Sequence, residues 1–213
     1  MKALVTGFEP FGGDGVNPAS EVLKLLPPRI GALDIATRVL PCAFDRVLAE
    51  LADAVGELRP DLVLCLGLAG GRAELSLERV AINVDDARIA DNDGGQPIDR
   101  PVVAGGPAGY FSTLPIKAAV AALREAGLPA TVSNSAGTFV CNHLFYGLMH
   151  LLATRRPGLR GGVMHLPYLP SQAAAQPGAP SMALADIARG VEIVLAVAAA
   201  RRDDIVAAEG AIS

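Results

Sequence analysis

The chain has 213 residues, of which 51% are hydrophobic and 19% charged, and its net charge is −4. Such a composition supports a large core of Leu, Val, Ile and Ala, since aromatics are scarce and Trp is absent. The acidic balance argues against a nucleic-acid or anionic-membrane surface, both of which need clustered Lys and Arg.

"KALVTG" (2–7) is a short apolar run ending in Gly and predicts a buried strand. The opening "MKALVTGFEPFGG" is not a secretory signal, because its apolar run stops at Gly7. "NPASEVLKLLP" (17–27) sets an Asn before Pro and Ser and predicts a helix running to a Pro stop. "LDIATRVLP" (33–41) alternates like a strand, and "FDRVLAELADAVGEL" (44–58) is an amphipathic helix. "DLVLCLGLAGG" (61–71) is the clearest strand, and "SLERVAINV" (76–84) alternates so that Glu78, Val80 and Ile82 would share one face. Residues 85–112 are dense in Asp, Gly and Pro and predict a long loop region with room for short edge strands. A helix (115–126), a strand (129–134), a helix (141–155), a strand (161–167), a Pro- and Ala-rich loop (168–180) and a terminal helix (181–202) follow. The last helix carries Asp186, Arg189 and Glu192 on one face, the mark of a wet amphipathic helix and not of a membrane span. The alternation predicts a single three-layer α/β/α domain over 1–213, with a twisted, mainly parallel mixed sheet. Active residues in such sheets gather beyond the carboxyl ends of the strands.

The chemistry-bearing stretches are few. "GFEPFGGD" (7–14) has the glycine spacing of a phosphate loop, but Gly13 and Asp14 stand where Lys and Ser/Thr are needed. It is either a plain glycine turn or a loop presenting Phe8 and Phe11 to an apolar pocket. The cysteines, Cys42, Cys65 and Cys141, are odd in number and widely spaced. They form neither a disulfide framework nor a metal site, and they fit a reducing cytoplasm. Cys65 lies inside a strand and Cys42 in a loop after Pro41, without a visible partner. Cys141 differs: it follows "NSAGTF" and opens "NHLFYGLMHLL", at a helix start whose dipole and free N–H groups stabilise a thiolate and an oxyanion.

A thiolate nucleophile needs a histidine, and the histidine an orienting acceptor. His143 is two positions from Cys141, about 200° around a helix, so its side chain faces away and reads as a capping or surface group. His150 falls near the far end of the same helix. His165 closes the strand "GGVMHLP" and can reach the loop that holds Cys141. Glu78, a carboxylate on an apolar face, needs a partner: a salt bridge to Arg79 or Arg88, or a histidine. The Asp residues of 85–93 are alternatives, although most look like loop formers.

Around Cys141, His165 and Glu78 the sequence resembles one family closely, the type I pyroglutamyl peptidases or pyrrolidone carboxyl peptidases. The stretches are "TGFEPFGG" with "VNPAS", "GLAGGR", "ERVAINVDDARIADNDG", "GGPAGYFSTLPIK", "AGTFVCNHLFYG" and "GVMHLPYLPSQ", in the family's order and over nearly the whole chain. The resemblance implies a cysteine peptidase that releases pyroglutamate from peptides beginning with a pyroglutamyl residue, through a thioester. It implies Cys141 as nucleophile, His165 as general base and acid, and Glu78 as orienting carboxylate. Phe8, Phe11, Phe139 and Val140 would line the pocket for the pyrrolidone ring, with Asn17 and Arg88 close to the site as substrate-binding groups. No metal or cofactor, no nucleic acid and no membrane is implied. A homo-oligomer is expected, a tetramer by the resemblance. Leu68 and Ala90 depart from the family, which often has Gln and Pro there. Two rivals stand beside this reading. One is a non-catalytic binder of a small cyclic or phosphorylated ligand at "GFEPFGG". The other is a nucleoside-phosphorylase-like enzyme, for which only Arg72 and Arg88 offer phosphate contacts.

Overall fold

The computed structural model describes residues 1–210. In chain order the elements are β1 (Lys2–Phe8), α1 (Pro18–Leu23), β2 (Arg29–Ile30), β3 (Leu33–Leu40), α2 (Phe44–Leu58), β4 (Leu62–Leu68), β5 (Leu75–Glu78), β6 (Val80–Ile82) and β7 (Gly109–Phe111). Then come α3 (Ile116–Glu125), β8 (Ala130–Ser133), α4 (Val140–Thr154), β9 (Arg160–Leu166), α5 (Pro170–Ala173) and α6 (Leu184–Ala200). Seven strands form one sheet in the order β2-β3-β1-β4-β9-β5-β8. β1 runs parallel to β3 and β4, β4 parallel to β9 and β5 parallel to β8, while β2–β3 and β5–β9 are antiparallel. Helices α1, α3 and α6 pack on one face and α2 and α4 on the other. This is the three-layer, mainly parallel mixed sheet expected from the sequence. None of the helices among the described residues is long and apolar enough to cross a membrane.

The strand period of two fixes what each layer receives. In β4, Leu62, Leu64 and Leu66 enter the core under α1, α3 and α6, while Val63 and Cys65 enter the one under α2 and α4. In β9, Met164 and Leu166 go to the first and Val163 to the second. In β5, Leu75 and Leu77 go to the first. By the same alternation Gly67, His165 and Glu78 all face the layer that contains α4, and all stand at or near strand ends.

The expected strand over 76–84 is corrected. It breaks at Arg79, and only Glu78 and the residues before it belong to the large sheet; β6 pairs antiparallel with β7 in a separate two-stranded sheet. The cause is a transfer of hydrogen bonds. The Arg79 N–H donates to Ser133 O (2.8 Å), still on the large sheet, whereas the Arg79 carbonyl accepts from Ser112 N (2.9 Å), beside β7. Glu78, Val80 and Ile82 therefore do not form one face. α1 also stops at Leu23, short of the Pro stop, and the loop after β9 holds the single-turn α5.

Two helices take their caps from far away. The N-cap residues of α2 and α3, Ala43 and Pro115, have no capping side chain. Instead Asp91 accepts from Phe44 N (2.8 Å), and Asp204 accepts from Lys117 N (2.9 Å) and Ala118 N (2.8 Å).

Candidate active site

Gly67 and His165 are register partners on adjacent strands. A Cβ built on Gly67 would lie 2.9 Å from Cys141 Sγ and 3.1 Å from His165 Nε2, so sulfur and imidazole share the small volume above this glycine. Cys141 is the second residue of α4, half-buried, and the N-cap Phe139 supplies no side-chain cap. The first-turn N–H groups of α4 are left for a ligand or an anion.

Behind the imidazole stands Glu78. His165 Nδ1 donates to Glu78 Oε1 at 2.7 Å, since an ionised carboxylate can only accept, and this leaves Nε2 for the sulfur. Glu78 is fully buried, and Arg72 Nη1 reaches the same oxygen at 2.8 Å. Burial pushes the Glu78 carboxyl up, but the hydrogen bond and charge of His165, with Ser133 and Arg72, outweigh it and hold the group below the ordinary carboxylate range. For His165, burial acts to lower the value. The Cys141 sulfur, by charge and hydrogen bond, and then Glu78 overcome it and raise the imidazole to about 9. A proton moved from sulfur to this imidazole is therefore well held.

The clearance over Gly67 is needed by nothing else nearby, and its backbone has no left-handed twist that would demand glycine. Gly67→Ala is expected to lower kcat/KM about a hundredfold or more by wedging the two side chains apart, with a change in stability of about 1 kcal/mol. Steady-state kinetics beside thermal unfolding checks this.

The remaining expected residues are placed unevenly. Phe139 is half-buried; Phe11 faces it at 6.0 Å between ring centres, and Phe44 packs edge-on against it at 5.4 Å. Phe44 was not singled out by the sequence, where it reads only as the first apolar residue of α2. Beside Phe139 opens a cavity of about 440 Å³ lined by Asp86, Arg88, Ile89, Gly137, Thr138 and Phe139. Arg88 is exposed at its edge. Phe8 is buried, and Val140 has no exposed surface and packs in the core behind Phe139. Val140 thus backs the wall and does not line it. Asn17 is corrected more firmly. It is fully buried, its Oδ1 caps α1 by accepting from Ala19 N (3.0 Å), and its amide donates to Glu9 O (3.0 Å). It holds the loop after β1, and its fully buried side chain presents no surface to a substrate.

His143 faces away from Cys141, but it is neither a cap nor a surface group. It is 5% exposed, its Nδ1 lies 2.9 Å from the Asp85 carboxylate, and its ring meets Phe44 edge-on. The pair pins the loop after β6 to the first turns of α4. Asp85 itself is fully buried, so it is no simple loop former. Glu78 pairs with His165 and Arg72; Arg79 and Arg88 are not its partners. Among the described residues no group of three or more His, Cys, Asp or Glu is placed to hold a metal ion.

A half-buried cysteine at a helix start, set against a histidine that a buried carboxylate holds, on an α/β sheet, defines a class: the cysteine-type hydrolases. Within that class the chain belongs to the pyroglutamyl peptidase family, whose sequence model matches residues 1–202. It is 56% identical over 211 residues to a pyrrolidone-carboxylate peptidase of Erwinia tasmaniensis, covering 99% of this chain and 98% of the relative. The fold superposes with a TM-score of 0.93 on the crystal structure of pyroglutamyl peptidase I from Bacillus amyloliquefaciens, at 46% identity over 96% of this chain and 99% of that one. The pyrrolidone carboxyl peptidase of Thermococcus litoralis gives a TM-score of 0.93 at 38% identity, covering 97% and 99% of the two chains.

Proposed function

We propose that this chain removes an N-terminal pyroglutamyl residue from peptides, with Cys141 as nucleophile, His165 as general base and acid, and Glu78 as the group that orients His165. The observation that carries the assignment is the placement of sulfur and imidazole over Gly67, with Glu78 on the far side of the ring.

His165 Nε2 takes the thiol proton, and the thiolate attacks the carbonyl carbon of the pyroglutamyl residue. The oxyanion is held by N–H groups of the first turn of α4. The imidazolium then protonates the leaving amine, the C–N bond breaks, and a pyroglutamyl thioester remains. Water, deprotonated by His165, adds to the thioester, and collapse expels the thiolate with free pyroglutamate. Glu78 keeps the ring in the tautomer that this shuttle needs. The neutral lactam ring of the substrate lies against the Phe11–Phe139 wall, near the exposed Arg88. The whole chain acts as one catalytic domain in the cytoplasm, where its buried thiols stay reduced. We read it as a homotetramer; the exposure of Phe111 (70%) and Ile98 (77%) supports a covered subunit surface.

The test is hydrolysis of a chromogenic pyroglutamyl amide by reduced, folded protein, with inactivation by iodoacetamide. Undetectable turnover, or turnover insensitive to alkylation, overturns the proposal.

A further inference from the structure

Beyond α6 the chain does not trail off. Arg160, at the start of β9, donates to Ala198 O (2.8 Å) and Arg201 O (2.9 Å) and closes the helix end. The following residues then run along α3 from its first turn to its last. Asp204 caps the helix start as described, Lys117 Nζ donates to Ala207 O (2.6 Å), and Arg124 Nη1 meets Glu209 Oε1 (2.7 Å). The segment ends on Arg79, whose Nη2 donates to Glu209 O at 2.7 Å. That is the single hydrogen bond made by the Arg79 guanidinium among the described residues, and its Nε is buried without a partner. Residues 203–210 lie beyond the part of the chain that the family's sequence model matches.

Arg79 is the residue at which the chain leaves the large sheet, and it directly follows Glu78. Glu78 points into the layer of α4; Arg79, by strand alternation, leaves the backbone on the other side, where it meets the tail. One peptide unit thus carries the acid that touches His165 on one face and the tail's anchor on the other.

We propose that residues 203–210 form a strap that positions Glu78: by gripping Arg79 from behind, it fixes the break between β5 and β6 and so holds the carboxylate against His165. Arg79 is a positioning residue, and the inference rests on the orienting role assigned to Glu78 above.

The experiment compares the full chain with a chain ending at Arg202 and with Arg79→Met, Arg79→Lys and Lys117→Met. The readouts are kinetics on a pyroglutamyl amide, thermal unfolding, and the low-field proton resonance of His165 Nδ1–H. The shortened chain and Arg79→Met are expected to lose about tenfold or more in kcat with KM within about twofold, and to displace or broaden that resonance. Arg79→Lys, which keeps a donor, restores most of both. Lys117→Met, which removes the contact to Ala207 and leaves Glu209 on Arg79, lowers the unfolding temperature only. Should the shortened chain not fold, Arg79→Met and Arg79→Lys decide. An unchanged kcat and resonance in Arg79→Met, or the same losses in Lys117→Met, overturns the strap. The resonance reads the Glu78–His165 contact whether or not it serves catalysis. A fully active Glu78→Gln would therefore refute the orienting role of Glu78 separately from the strap.

Discussion

Cys141→Ser is expected to lower kcat/KM for a pyroglutamyl amide by about a thousandfold or more, with a fold that unfolds cooperatively as before. A serine hydroxyl is a far weaker acid than a thiol, so His165 cannot draw off its proton to leave a held ion pair. The substitution has a second consequence, visible without substrate. His165 is raised from 6.5 to about 9, with the Cys141 sulfur the largest cause acting upward against burial. A histidine raised in the folded state stabilises the fold fully below about pH 6.5, and this contribution is lost as pH rises toward about 9. The unmodified protein should thus show a urea midpoint that falls across that window, and Cys141→Ser a flatter one. A serine variant with near-normal turnover would remove Cys141 from the mechanism.

Glu78→Gln should cost about a hundredfold or more in kcat and should also destabilise. The amide can turn its NH₂ toward His165 Nδ1, making that nitrogen an acceptor and directing Nε2–H at the sulfur. The ring then holds its proton on the wrong nitrogen to accept another. Arg72 loses the carboxylate oxygen that it shares with the imidazole at 2.8 Å. A third loss is linked to pH. The Glu78 carboxyl is held low, so its stabilisation is present above about 4.5 and lost as pH falls through the lower folded value. The variant should be less stable than the unmodified protein near neutrality and approach it in acid. Kinetics and urea unfolding between acid and neutral pH check both halves.

Much of this arrangement could be read from residue order. The strand endings at Gly67 and His165, the helix opening at Cys141, and a carboxylate in an apolar run are local signals, each written in fewer than ten residues. They locate the candidates because strand alternation and the carboxyl ends of strands decide where side chains go. What the sequence did not disclose are pairings across long separations. Arg72 could be seen only as a loop cation, because its claim on Glu78 depends on how the turn after β4 folds back. Nothing in "SLERVAINV" marks the break at Arg79: the apolar alternation runs straight through it, and only competition between two sheets for its N–H and C=O reveals the transfer. Helical geometry turned His143 from Cys141 but could not supply Asp85, 58 positions earlier, as its buried partner. Asn17 differs from expectation for a related reason: its motif lies close to the site, yet its side chain is fully buried and bonded to the chain's own backbone.

The distant caps of α2 and α3 bear on how the chain is made. The carboxylate that caps Phe44 lies 47 positions later, and the one that caps Lys117 lies 87 positions later. During synthesis α3 is threaded out of the ribosome long before Asp204 exists, and until then its first turn ends in unsatisfied donors. Its first turn is completed only once Asp204 has been made and docks. A chain cut short of Asp204 would carry a frayed helix over an otherwise assembled sheet, and it would be open there to proteases.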